Sequence, residues 1–132
     1  MAKIPQDLRY TKDHEWIRME GATGVMGITD YAQHAMGDIV YVELPEVGRQ
    51  VKAGEDFIVV ESVKGANDVF SPVSGKVAEV NEDLDGAPEL LNEDPYANWL
   101  VKLELSDSKE MDSLLDPAAY AKLVEELEAE NE

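Results

Sequence analysis

The chain has 132 residues, 44% of them apolar, which is enough to build a hydrophobic core in a single domain. Its 29 acidic and 11 basic residues leave a formal charge of −18, which argues against nucleic acids and anionic membrane surfaces as partners. The absence of cysteine excludes disulfides, thiolate metal ligands and any thiol chemistry of the protein's own.

Taken in chain order, the opening segment MAKIPQDLRYTKDHEW has neither the apolar run of a signal peptide nor the Arg/Ser-rich pattern of a transit peptide. A prokaryotic cytoplasmic location is the expectation. No apolar stretch approaches the ~20 residues of a membrane span. Strands are predicted at 14–19, 24–28, 39–44, 57–62, 68–71, 75–80 and 99–105, separated by bends at Gly21, Gly48, Gly54, Gly75 and Gly86. In the last of these, Val101, Leu103 and Leu105 alternate with Lys102 and Glu104, the pattern of a half-buried strand. Asp30 with Gln33, then Gly37 after Met36, predicts a short helix over 31–36. Asp107 with Glu110 predicts a second, reaching Leu115. Asp116 as N-cap, Pro117, and Tyr120, Leu123, Val124 and Leu127 on one face predict a C-terminal helix over about 117–129. Many strands with few helices imply an antiparallel β architecture with helical decoration.

A loose internal echo relates Val47–Glu55 to Ser74–Glu82, each with a glycine, a nearby valine and a polar turn. The two copies flank Lys64 at similar distances. A repeat so placed would make Lys64 the tip of a hairpin near a pseudo-two-fold axis.

Candidate chemistry is sparse. His14 and Glu15 are adjacent, but the other histidine, His34, is distant and no His-Glu-x-x-His spacing exists, so no metal site is expected. Gly21-Ala-Thr-Gly24 lacks the Lys-Ser/Thr of a phosphate loop and reads as a hairpin turn. Ser62, Ser71 and Ser74 sit in no nucleophile elbow. Lys64 differs from these. Phe57–Val60 leads into it, Val69, Phe70 and Val73 lead away, and Lys64-Gly65-Ala66-Asn67 is turn-forming. A lysine on a stiff bend is an accessible amine, and acylating it yields a neutral amide on a long tether.

The segment Glu61-Ser62-Val63-Lys64, with Asp68-Val-Phe-Ser-Pro-Val-Ser-Gly75 after it, resembles the lipoyl-lysine hairpin of the glycine cleavage system H protein family. His14-Glu15-Trp16, Gly27–Gln33, Gly37–Pro45, Pro88–Asn92, Asp94-Pro95-Tyr96 and Trp99-Leu100 also resemble family blocks, covering Leu8 to Leu127 in order. Three features depart from the pattern: Gly65-Ala66-Asn67 after the lysine, Phe70, and a loop one residue short before Trp99.

The resemblance implies a mainly β fold with peripheral helices. This is a barrel-sandwich hybrid of two antiparallel sheets, with the modified lysine on hairpin 57–75 and a C-terminal helix, in one lipoyl-carrier domain spanning 1–132. It implies a carrier rather than an enzyme, with lipoate covalently on Lys64 and Glu61, Ser62, Val63 and Gly65 in the cofactor-binding segment. Glu61 is also a recognition element for the lipoyl-attaching enzyme. The implied partners are a pyridoxal-phosphate glycine decarboxylase that loads the aminomethyl group and a tetrahydrofolate-dependent aminomethyltransferase that takes the methylene and releases ammonia. The third is a dihydrolipoyl dehydrogenase using FAD and NAD. Glu15, Asp13, His14 and Asp68 are the implied residues of a cleft sheltering the loaded arm. Carboxylates there would favour a cationic amine by ~0.5–2 kcal/mol. A monomer is expected. A biotinyl carrier, or an H-like lipoyl carrier serving lipoyl relay or sulfur metabolism, are the alternatives.

Overall fold

A computed structural model describes residues 3–130. Among these residues nine strands make two antiparallel sheets. β1 (Arg9–Tyr10), β2 (Glu15–Glu20), β3 (Thr23–Ile28), β5 (Gln50–Val51), β8 (Gly75–Val80) and β9 (Val101–Leu105) form the larger, in the order β1-β2-β3-β9-β8-β5. β4 (Ile39–Glu43), β6 (Asp56–Ser62) and β7 (Gly65–Phe70) form the smaller, in the order β4-β6-β7. The predicted alternation holds in β9, where Val101 and Leu103 are buried and Glu104 is exposed. Ile17, Met26, Val77 and Leu103 from one sheet meet Val42, Ile58, Val60 and Val69 from the other in the main aliphatic core. Two sheets packed over one such core match the expected fold.

The four helices lie outside the sheets. In α1 (Asp30–Met36) the expectation is adjusted by one residue: Thr29, not Asp30, is the N-cap, its hydroxyl accepting from the Ala32 N–H. Asp30 and Gln33 do pair, but side chain to side chain at 2.8 Å. Gly37 ends the helix at φ 78, as its position predicted. α2 (Asp83–Gly86) and α3 (Leu90–Glu93) are single turns without sequence periodicity, held by burial of Leu84 and Leu91. Asp107 caps a 3-10 turn (Ser108–Ser113) that ends two residues earlier than expected. Glu110 there bonds the N–H and hydroxyl of Ser74 instead of its own helix. α4 (Pro117–Glu130) begins at the predicted cap, Asp116 accepting the Ala119 N–H at 2.8 Å, a contact worth ~1 kcal/mol.

α4 covers a second core, largely aromatic. Tyr120 stacks on Tyr10 with centroids 4.4 Å apart, over Trp16 and Val25. Trp16 faces Gly27 across the β2–β3 pair, and a Cβ at Gly27 would meet the indole at 2.9 Å. That glycine lets the indole lie flat across the strand.

The internal echo has a structural counterpart. β5 and β8, one from each copy, pair with each other, Gln50 opposite Lys76. Beyond the strand the Val77 N–H donates to the Arg49 carbonyl. Gln50–Lys76 and the Ser62–Gly65 pair of the β6–β7 hairpin share a centre at Val63–Lys64.

Candidate functional site

The β6–β7 hairpin closes through two residues, Val63 and Lys64, between the Ser62–Gly65 pair. Sequence reading placed the turn at Lys64–Asn67; β7 in fact starts at Gly65, and the lysine remains in the turn. Val63 and Lys64 do not form the mirror-image turn usual for two-residue hairpins, whose first central residue needs a positive φ. Among the described residues only His14 has one outside glycine. Gly65 supplies the positive-φ step just after the turn, at φ 141. A Cβ there would touch nothing within 4 Å, so the demand is for backbone conformation alone.

Several contacts stiffen this tip. The buried Ser62 hydroxyl accepts the Lys64 N–H and sits 3.4 Å from the Gly65 carbonyl. The Asn67 amide donates to the Val60 and Gly65 carbonyls. The Val63 N–H donates to the Asp38 carbonyl at 3.0 Å, tying the turn to the segment after α1. Asn92 of α3 holds that segment in turn, accepting from the Ile39 N–H and donating to the Gly37 carbonyl and Gln33. Asn92 lay in a recognised sequence block, but its bracing role needs the tertiary contact.

Lys64 itself is exposed, and its Nζ donates to the Ala35 carbonyl at the C-terminal end of α1, 3.3 Å away. Negative partial charge at that helix end suits an ammonium. Ala35 also lines an open cleft of about 510 Å³, walled by Ala32, Met36, Ala66 and Phe70 with Asn67, Asp68, Lys12, Asp13 and His14. The amine thus ends at the cleft rim. Of the implied arm-cleft residues, Asp13, His14 and Asp68 line this space, the two aspartates exposed.

Glu15 is placed differently. It is 2% exposed, behind the wall, with Oε1 accepting the Thr11 hydroxyl at 2.7 Å and Oε2 the Phe70 N–H at 3.0 Å. Burial pushes its carboxyl up to about 7, although both hydrogen bonds pull the other way. β7 is an edge strand, and Glu15 takes its outward amide at Phe70. His14 has φ 71; its ring packs 4.6 Å from Tyr31, and its Nδ1 lies 2.9 Å from the Tyr120 hydroxyl. That hydroxyl also meets the Thr29 Oγ1 at 2.7 Å. Burial lowers the His14 pKa, with Asp13 opposing. In the sequence Thr29 stood only as part of a family block and Tyr120 only on a helix face, since their mutual bond needs folding; Thr11, four residues before Glu15, was not singled out.

Two antiparallel sheets, a lysine at the tip of a braced two-residue hairpin, and a cleft within reach of its amine define a lysine-displaying β domain. The Glycine cleavage H-protein family model matches residues 8–127. Glycine cleavage system H proteins of Carboxydothermus hydrogenoformans and Alkaliphilus oremlandii are similar at 54% and 59% identity; the alignments span 96% and 93% of this chain and 98% and 97% of the relatives. A crystal structure of a glycine cleavage system H protein from Mycobacterium marinum superposes with a TM-score of 0.82 at 40% identity, covering 90% of this chain and 97% of that one. The chain belongs to the glycine cleavage H-protein family.

Proposed function

We propose that Lys64 carries lipoate as an amide and that the whole chain, 1–132, acts as one monomeric, non-catalytic carrier domain of the glycine cleavage system. The observation that carries this reading is the Lys64 amine, held on a rigid tip at the rim of a cleft large enough to shelter a flexible arm. The fit of the group is chemical as well as spatial. Ala32, Ala35, Met36 and Phe70 offer apolar wall to a hydrocarbon tether, while Asp13, Asn67 and Asp68 offer polar rim to its far end. When bound, lipoate supplies a dithiolane that accepts the aminomethyl group of glycine and is later reoxidised from the dithiol.

The chain's own residues bind, orient and shield. Ser62, Asn67 and Gly65 set the tip; Val63 and Asn92 fix it against the end of α1. Asp13 and Asp68 give the cleft a negative rim suited to a cationic amine. Glu15 holds the β7 edge beside them and titrates near neutrality. Glu61, on the outward face of β6, is a recognition element for the attaching enzyme.

The partners are the pyridoxal-phosphate glycine decarboxylase, the tetrahydrofolate-dependent aminomethyltransferase and the FAD- and NAD-dependent dihydrolipoyl dehydrogenase, in a bacterial cytoplasm. No helix among the described residues is long and apolar enough to cross a membrane. The relatives favour this role over biotin carriage or lipoyl relay.

Two measurements test the reading. Intact mass should gain one lipoyl increment, abolished by Lys64→Arg. The lipoylated chain should support glycine–CO₂ exchange with the decarboxylase, and Lys64→Ala should not; a lipoylated but inert chain would overturn the glycine-cleavage role.

A further inference from the structure

His14 is the one non-glycine residue with a positive φ among the described residues, at φ 71. Backbone held this way persists where neighbouring contacts fix it. Here the His14 N–H donates to the Thr11 carbonyl, and the His14 carbonyl accepts from the Thr29 N–H at 3.0 Å. Its ring lies against Tyr31, and its Nδ1 meets the Tyr120 hydroxyl, which also meets the Thr29 hydroxyl. The direction of these bonds follows from counting hydrogens. Thr29 and Tyr120 are fully buried, so neither hydroxyl turns to water. The Thr29 oxygen already accepts the Ala32 N–H, and its own hydrogen has one acceptor within reach, the Tyr120 oxygen. Tyr120 therefore directs its hydrogen to His14 Nδ1. The reverse direction would strand the Thr29 hydrogen in the interior, a cost that buried polar groups rarely bear. Burial also raises the Tyr120 pKa, so the phenol keeps the proton it donates. An accepting Nδ1 carries no hydrogen, so the ring is neutral and its hydrogen is on Nε2. Nε2 has no protein partner among the described residues, and no buried side-chain nitrogen there lacks one, so Nε2 is open to solvent. The open space that His14 lines is the cleft.

We propose that Tyr120 is a positioning residue for the cleft: its hydroxyl, relaying a hydrogen bond from Thr29, holds His14 as the Nε2–H tautomer and so presents a neutral donor to the sulfur end of the arm. The role toward the arm rests on Lys64 being the attachment lysine. Two properties of the arm's far end select this arrangement. Sulfur lone pairs accept a hydrogen bond from an imidazole N–H. A cationic amine, which the exposed Asp13 and Asp68 suit, would be repelled by an imidazolium beside them. The relay keeps a donor in place without adding that charge. It also ties α4 to the cleft, to which that helix contributes no lining residue of its own.

The first readout is ring nitrogen-15 NMR of the full-length, unmodified Lys64→Arg chain at mildly alkaline pH, with the exposed His34 as a solvated reference on the same chain. His14 should show a single Nε2–H tautomer, its Nδ1 signal displaced from that of His34 by the bond from Tyr120. Tyr120→Phe, which keeps the stack on Tyr10, should lose that displacement and show the mixed tautomers of a solvated ring. Thr29→Ser keeps both the cap and the hydroxyl and should retain the wild-type spectrum. The second readout is ammonia release from the lipoylated chain after the decarboxylase has loaded it. Tyr120→Phe should release ammonia about fivefold faster, the effect of one lost hydrogen bond, and Thr29→Ser should match the wild type. A wild-type His14 with its hydrogen on Nδ1, or a spectrum unchanged in Tyr120→Phe, would overturn the relay. A changed spectrum with unchanged ammonia release would overturn the role toward the arm. A wild-type chain that gains no lipoyl mass, or is lipoylated but never loaded, would overturn the proposed function and with it the role toward the arm. The spectrum, taken without lipoate, decides the relay by itself.

Discussion

Among the described residues two tight hairpins have two-residue loops, and they put glycine in different places. In β2–β3 the loop is Gly21–Ala22, with the glycine inside the turn at φ 65. In β6–β7 the loop is Val63–Lys64, and the glycine follows it at φ 141. Moving the left-handed step one place past the turn frees both loop positions for ordinary side chains. One of them is the lysine. Position in space separates the two further. The second tip is braced by Asp38, Ser62 and Asn67, and its lysine reaches a cleft. The hairpins also meet: Glu15, the first residue of β2, accepts the amide of Phe70, the last residue of β7. Loop length alone therefore does not make a display site; glycine placement and bracing do.

The largest effect is expected from moving the lysine. Lys64→Arg should abolish lipoylation with stability changed by under ~0.5 kcal/mol, because the side chain is exposed. Adding Ala22→Lys to that variant should restore no lipoyl mass if bracing matters as argued; a lipoylated Lys at 22 would break the comparison.

Severing the tie between the hairpins comes next. The Glu15 carboxyl titrates near 7 in the folded chain against an ordinary 4.5, so the folded state retains a proton that the unfolded state releases. Stability from this group is fully present below about pH 4.5 and is lost as pH rises through about 7. Glu15→Gln keeps an acceptor for Phe70 and should remove about 3 kcal/mol of that pH dependence, read as the difference between the two proteins' denaturation curves from pH 4.5 to 7.5. Parallel curves would show that the carboxyl is not strained by burial.

The glycines give the smaller effects. At φ 141 Gly65 lies outside the left-handed well that Asn tolerates, so Gly65→Asn should cost ~1–2 kcal/mol and slow lipoylation. Gly21, at φ 65, also favours glycine, but its tip carries no lysine, so Gly21→Asn should destabilise the fold and leave lipoylation unchanged. Equal losses of lipoylation at the two sites would erase the distinction.

Much of this was legible beforehand where the signal is local. The 75–80 strand, the alternation in β9, the Gly37 stop and the Asp116 cap each depend on residues within one element, and all were found in place. The two-residue strands β1 and β5 passed unnoticed because so short a run has no period to read; pairing with a neighbour defines them. The Thr29 cap was hidden by Asp30 beside it, an equally good cap by type. At the site, Lys64, Asp13, His14 and Asp68 could be named from sequence blocks. The buried position of Glu15 could not, since its partner Phe70, 55 residues away, meets it only when β2 and β7 pack together.

Residue order by itself determined the antiparallel β character, the helix ends and the exposed amine on a bend, because periodicity, caps and turn formers act over a few residues. Tertiary structure decided the rest. It set Gly65 to a conformation that Val63 and Lys64 then need not adopt, and laid the lysine against the end of α1. It also buried Glu15 between two hairpins and, through one unpaired residue in β4, turned Val40 and Tyr41 outward together. Apart from the Gly65 turn, which its own hairpin sets, each depends on contacts between segments 20 or more residues apart, which local sequence patterns do not encode.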